Sequence, residues 1–253
     1  MEKVILERNN GIAWLIINRP HKRNAIDYDV IEKLPLLLNE IERNEEDKVV
    51  AITGAGDEAF CSGGDLSVFH ALHTKEEAEA MLSKMGDVLL KLFFFPKPTF
   101  ACINGTAVGG GCEIATACDF RLASPYAKVG FVQGTLRIIT GWGASTFLFE
   151  RLKQTAAMEM LFTAKRYNAE EAKQLQFIQE IITEQDFMRG CERYLTNYTK
   201  LPTSILMAYK RRWLDKFDKE DIKKRVKKEI DECSTLWESE EHHAAVQRFL
   251  KKT

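Results

Sequence analysis

The stretch Asn104-Gly105-Thr106-Ala107-Val108-Gly109-Gly110-Gly111-Cys112-Glu113 decides how this chain folds. It follows an apolar run, Thr99 to Ile103 (TFACI), that reads as a buried strand, and it leads into a helical segment at 111–118. Three successive glycines let the backbone turn sharply and leave its amides unshielded by a Cβ. Amides at a helix start lack partners within the helix, and the dipole there favours negative charge. A second stretch, Ala59-Phe60-Cys61-Ser62-Gly63-Gly64-Asp65-Leu66, repeats the pattern of strand, glycines and helix. Two such turns facing one another direct two N–H groups at a single oxygen. The plainer alternative is a pair of tight turns chosen for backbone geometry alone. A phosphate loop is the poorer match, because Gly105-x-x-x-Gly109-Gly110-Gly111 fits neither the dinucleotide fingerprint nor a P-loop with its Gly-Lys-Ser/Thr.

Outward from these turns, Lys48 to Thr53 (KVVAIT) and Gly11 to Asn18 (GIAWLIIN) read as further buried strands. Phe120 to Ala123 and Ile178 to Ile182 read as two more. Val30, Leu34, Leu38 and Ile41 mark one face of a helix that Pro35 is expected to kink or delay. Further helices are expected at 66–94, 143–152, 155–163 and 169–175. Strands alternating with helices predict an α/β fold with mainly parallel pairing. After about residue 184 the strands stop, and 184–200, 203–216 and 218–250 read as three helices. Residues 1–183 are therefore expected to form the core, and 184–253 a helical region that covers the core or a neighbouring subunit.

Composition narrows the function. A net charge of -1 gives no global field for nucleic acid or an anionic membrane, and neither is expected as a partner. Lys223, Lys224, Arg225, Lys227 and Lys228 form a basic run flanked by Glu220, Asp221, Glu229, Asp231 and Glu232, the alternation of a solvated helix face. The six cysteines form no CxxC pair and sit mostly in apolar stretches, which suits a reducing compartment and a cytoplasmic protein. His70 and His73 lack companions for a metal site, so no metal is expected.

Taken together, Asn18-Arg19-Pro20, Asn24-Ala25, Thr53-Gly54, Phe60 to Asp65, Pro98, Asn104-Gly105, Gly109 to Glu113 and Ala117-Cys118-Asp119-Phe120-Arg121 resemble the enoyl-CoA hydratase/isomerase (crotonase) superfamily. The likeness runs in register from about residue 4 to 183, with a looser helical match beyond. It implies a crotonase-like spiral of ββα units with a helical C-terminal region, commonly assembled as a homotrimer or a dimer of trimers. It also implies an acyl-CoA substrate, with coenzyme A as part of that substrate and no permanently bound cofactor. The amides of Gly64 and Gly110 match the oxyanion hole that stabilises a CoA enolate. Arg19, Ala25, Ala59, Cys61, Ser62, Gly63, Asp65 and Leu66 match segments lining the substrate site.

The reaction is less plainly written. Hydratases of this superfamily use two glutamates, of which the first matches Glu113, and the second falls on Gln133. A carboxyl group can exchange protons near neutral pH once its pKa is tuned, whereas an amide only hydrogen-bonds. The safest reading is a hydratase-like lyase in which Glu113 does both jobs. Its rival is decarboxylation of a short malonyl-type thioester, because Cys118 to Leu122, Phe131-Val132 and Trp142-Gly143 are similar to the ethylmalonyl-/methylmalonyl-CoA decarboxylase branch. A catalytically weak CoA-binding protein is the reading from another class. For single residues the plainer roles stay open: Glu113 as a helix-start carboxylate, Trp142 as packing, Arg137 as a surface ion pair, and Asp65 and Asp119 as structural acids.

Overall fold

A computed structural model describes residues 2–251. Strands β1 (Val4–Asn9) and β2 (Ile12–Ile17) form an antiparallel hairpin. Its turn is Asn10-Gly11, both with positive φ (52° and 79°), the geometry that keeps a two-residue hairpin in step with strand twist. Gly11 thus belongs to the turn rather than to the strand. Helix α1 (Tyr28–Arg43) is capped by Asp27, whose side chain accepts from the Val30 amide. It runs through Pro35 without ending. Six side chains on its inner face (Val30, Ile31, Leu34, Leu37, Leu38, Ile41) are buried. At about 1.5–3 kcal/mol each they outweigh the roughly 3 kcal/mol that an interior proline costs.

The next elements alternate between two sheets. They are β3 (Val49–Gly54) and β4 (Ala59–Cys61), followed by α2 (Leu66–Phe69) and α3 (Lys75–Phe93). Then come β5 (Thr99–Ile103), β6 (Thr106–Val108) and α4 (Gly110–Ala117). The third unit is β7 (Phe120–Ala123) and β8 (Lys128–Gly130), with α5 (Ala144–Arg151) and α6 (Gln154–Thr163). Short strands β9 (Tyr167–Asn168) and β10 (Glu180–Ile181) flank α7 (Ala169–Gln174). The first strand of each pair joins a six-stranded sheet in the order β1-β2-β3-β5-β7-β10, parallel from β2 onward. The second joins a four-stranded sheet, β4-β6-β8-β9. Each turn of the chain is therefore strand, strand, helix, and successive turns stack into the spiral of ββα units that the sequence led us to expect.

The C-terminal helices are α8 (Phe187–Thr199), α9 (Thr203–Leu214), α10 (Lys219–Trp237) and α11 (Glu240–Leu250). Two expected helices break. The one at 66–94 is interrupted at 70–74, where Thr74 and Glu77 form a capping box that restarts it as α3. The one at 218–250 is interrupted at Ser239, which accepts from the His242 amide and starts α11. Both signals were present, but a continuous apolar face masked them.

The largest core lies between the sheets and the helices on their inner side. A second core lies on the other face of the larger sheet, where Trp14, Val49, Phe100 and Leu122 meet Cys191 and Leu195 of α8 and Leu206 of α9. Phe93 stacks on Phe147 at 4.7 Å and lies against Trp213 and Phe217, so the end of α3 is sealed against the core. All six cysteines are free and buried. No helix among the described residues is long and apolar enough to cross a membrane.

Candidate active site

The two glycine turns meet. Strands β4 and β6 pair in parallel, Cys61 opposite Ala107, and carry both turns to one edge of the smaller sheet. Gly63 has φ of 100°, and a Cβ there would lie 3.1 Å from the Gly110 nitrogen, so this contact requires glycine. Around it the amides of Ser62, Gly63 and Asp65 donate to Arg23 O, Cys61 Sγ and Ile26 O. Among the described residues, the Gly64 amide between them donates to nothing. Gly110 opens α4, where the helix offers its amide no acceptor. Trp142 lies against both: a Cβ on Gly110 would sit 2.0 Å from its Cζ3, and one on Gly64 would sit 3.7 Å from its Cζ2.

Behind these glycines sits Glu113, one turn into α4 and 3% exposed. Its Oε1 accepts from Gln133 Nε2 at 2.9 Å, and its Oε2 accepts from the Trp142 amide at 2.8 Å. The amides of Gly141 and Ala144 approach at 3.4 Å each. Burial and the nearby charge of Glu229 push its pKa up to about 7, against the pull of these hydrogen bonds. Gln133 belongs to a 3-10 turn at Val132–Leu136, and its own Oε1 is buried with no hydrogen-bond partner. A buried acceptor without a donor is costly, and it sits beside the group with the most perturbed carboxyl chemistry in the site.

The other expected residues divide into two groups. Ser62, Gly64 and Leu66 are half-buried and reach the surface of the turn. Ala25, Ala59 and Cys61 are buried and contribute backbone, and burial pushes the Cys61 thiol up to about 12. Arg19 is also buried; it donates to Ala25 O and pairs with Asp65 at 2.8 Å and Asp27 at 3.1 Å. Its guanidinium thereby ties the segment before α1 to the first glycine turn. Asp65 caps α2 by accepting from the Ser67 amide and hydroxyl, and these bonds with Arg19 hold its carboxyl below the usual range despite desolvation.

With this geometry in place, the comparisons decide the family. The sequence profile for enoyl-CoA hydratase/isomerase matches residues 7–253. The chain belongs to the enoyl-CoA hydratase/isomerase family. It is 28% identical over 253 residues to a short-chain-enoyl-CoA hydratase of Clostridium acetobutylicum, covering all of this chain and 96% of that one. It is 32% identical over 205 residues to an ethylmalonyl-CoA decarboxylase of Xenopus tropicalis, covering 80% of this chain and 68% of the relative. The solved carnitinyl-CoA hydratase of Mycobacterium avium superposes with a TM-score of 0.87 at 28% identity, covering 100% of this chain and 97% of that one.

This member of the family also contains site features that its motifs did not announce. Glu229, expected on a solvated face, is buried at the start of α5, although Lys223, Lys224, Lys227 and Lys228 around it are exposed as predicted. The signal was its place on the face of α10 formed by Ile222, Val226, Ile230 and Cys233, a core-facing position for a charge. Arg137 is exposed in a left-handed conformation and makes no ion pair among the described residues. Asp119 is structural: it accepts from the Thr99 amide and binds Lys210 and Arg151 in a buried charge cluster.

Proposed function

We propose that this protein is a lyase acting on short acyl-CoA thioesters through a CoA enolate. The Gly64 and Gly110 amides hold the thioester oxygen, and Glu113 is the single acid–base group. The carrying observation is the pair Glu113–Gln133, a buried carboxyl with a pKa near 7 bonded to an amide that cannot titrate. In the hydratase-like reading, a water donates one hydrogen bond to the unpartnered Gln133 Oε1 and its other proton to Glu113. The water oxygen adds to the β-carbon, and the α-carbon receives a proton from Glu113. Two preorganised amides stabilise the enolate, and losing one such donor costs about 10²–10³ in rate. The whole-length match to a short-chain hydratase supports this reading.

Decarboxylation is the second reading, favoured by Gln133 and by the Trp142 ring against both glycines. There the carbon–carboxylate bond breaks, its electrons form the enolate, carbon dioxide leaves the apolar wall, and protonated Glu113 delivers its proton to the α-carbon and is reprotonated from water. No second carboxyl is needed. A homotrimer or dimer of trimers belongs to the same proposal and is read by light scattering.

The experiment is turnover of crotonyl-CoA, followed by loss of enoyl absorbance, beside methylmalonyl- and ethylmalonyl-CoA, followed by carbon dioxide release. Fast hydration by the unaltered protein supports the first reading. Negligible hydration with release of carbon dioxide supports the second. Tight acyl-CoA binding without turnover of any of the three would refute both and leave a CoA-binding protein.

A further inference from the structure

Helix α5 begins with Gly143 at its N-cap, a residue with no side chain to accept from the first amides. Two buried carboxylates from elsewhere in the chain do so instead. Glu113 accepts from Ala144 at 3.4 Å, while Glu229 of α10 accepts from the amides of Ser145 at 3.0 Å and Thr146 at 2.9 Å. Glu229 also takes the hydroxyls of Thr146 at 2.8 Å and Thr140 at 2.5 Å. It is thus bonded on both sides of Gly141-Trp142-Gly143, the segment whose amides hold Glu113 and whose indole lies on Gly110.

We propose that Glu229 is a positioning residue of the active site, fixing the 140–146 segment around Glu113 and governing the charge state of that carboxyl. This rests on the acid–base role given to Glu113 above. The titratable groups that face Glu113 are Glu229 and Cys233 on α10 and Cys112 on its own helix. Burial keeps both thiols neutral, and the charged group that raises the Glu113 pKa is Glu229. Like charge beside a carboxyl in a desolvated site disfavours its ionisation, the direction in which Glu229 moves Glu113. Amides at the start of α5, shared between the two acids, are what allows both to be buried together.

The test titrates Glu113 directly, without substrate, by NMR of protein carrying 13Cδ-glutamate, its signal assigned by loss in Glu113→Gln. The expected midpoint near 7 falls by about one pH unit in Glu229→Gln, which removes the charge and keeps an acceptor oxygen. Glu229→Asp keeps the charge on a shorter stem. It is expected to hold the midpoint near the wild-type value while the 19F signal of fluorotryptophan-labelled Trp142 shifts as the segment loosens. An unchanged midpoint in folded Glu229→Gln overturns the proposal, as does a midpoint that falls equally in Glu229→Asp. A protein that turns over no thioester would sink the functional reading, yet the titration would still decide this one.

Discussion

Gln133 donates its side-chain amide to Glu113 at 2.9 Å, and this one contact places a neutral group where an acid–base pair would need a second carboxyl. Burial and the charge of Glu229 push the Glu113 pKa up to about 7, and the hydrogen bond from Gln133 pulls against that rise.

Replacing Gln133 by glutamate puts two carboxyls at hydrogen-bond distance. They will titrate as a coupled pair, one proton leaving early and the other held late. We expect Gln133→Glu to lose about 2 kcal/mol or more of stability at pH 8 relative to pH 5, read by urea denaturation. An equal loss at both pH values would mean the two groups do not interact.

Glu113 itself should tilt the stability curve. Its folded-state pKa is raised to about 7, whereas the unfolded carboxyl releases its proton near its ordinary value of 4.5. Between these values the native state binds more protons, so this group's contribution falls as pH rises from about 4.5 to 7 and is level above. The difference in unfolding free energy between wild type and Glu113→Gln should fall across that window as pH rises and be level above it. Parallel curves would place the pKa of Glu113 near its ordinary value.

Trp142 and Gly110 should behave as a unit. A Cβ at Gly110 would meet the indole at 2.0 Å, so Gly110→Ala must push the ring or the helix start aside. We expect a loss of about 1–3 kcal/mol and at least a tenfold fall in turnover. Trp142→Ala should cost less in the Gly110→Ala background than in the wild type, a non-additivity that thermal melts of the four proteins would reveal. Additive losses would show that the clash is relieved elsewhere.

The buried Asp119 cluster makes a prediction remote from the site. Asp119 binds Lys210 and Arg151, both buried, and burial pushes the pKa of each downward. Asp119→Asn leaves these cations without their anion and should cost about 3–5 kcal/mol. Asp119→Asn with Lys210→Met should cost less than Asp119→Asn alone, measured by denaturant midpoints.

Local chemistry made much of this protein legible in its sequence. Strand periodicity, glycines between strand and helix, and the twenty-residue step from Glu113 to Gln133 are short-range patterns, and each survived folding with its expected neighbours. The short strands β6, β8 and β9 did not announce themselves, because runs of two or three residues carry no periodicity; β4 was legible only from the glycines that follow it. Pro35 reads locally as a break; only the apolar face buried around it keeps α1 whole.

The sequence by itself therefore determined the alternation of strands and helices, the two glycine turns, and the twenty-residue step from Glu113 to Gln133. Only the tertiary structure decided that Trp142 lies on Gly110, that Arg19 is taken up by Asp65 and Asp27, and that Glu229 joins Glu113 at the start of α5. The reason is physical: a residue's own type fixes what it can bond, but its burial and partners depend on distant segments, as with Trp142 and Glu113, 29 positions apart, and Ser145 and Glu229, 84 apart.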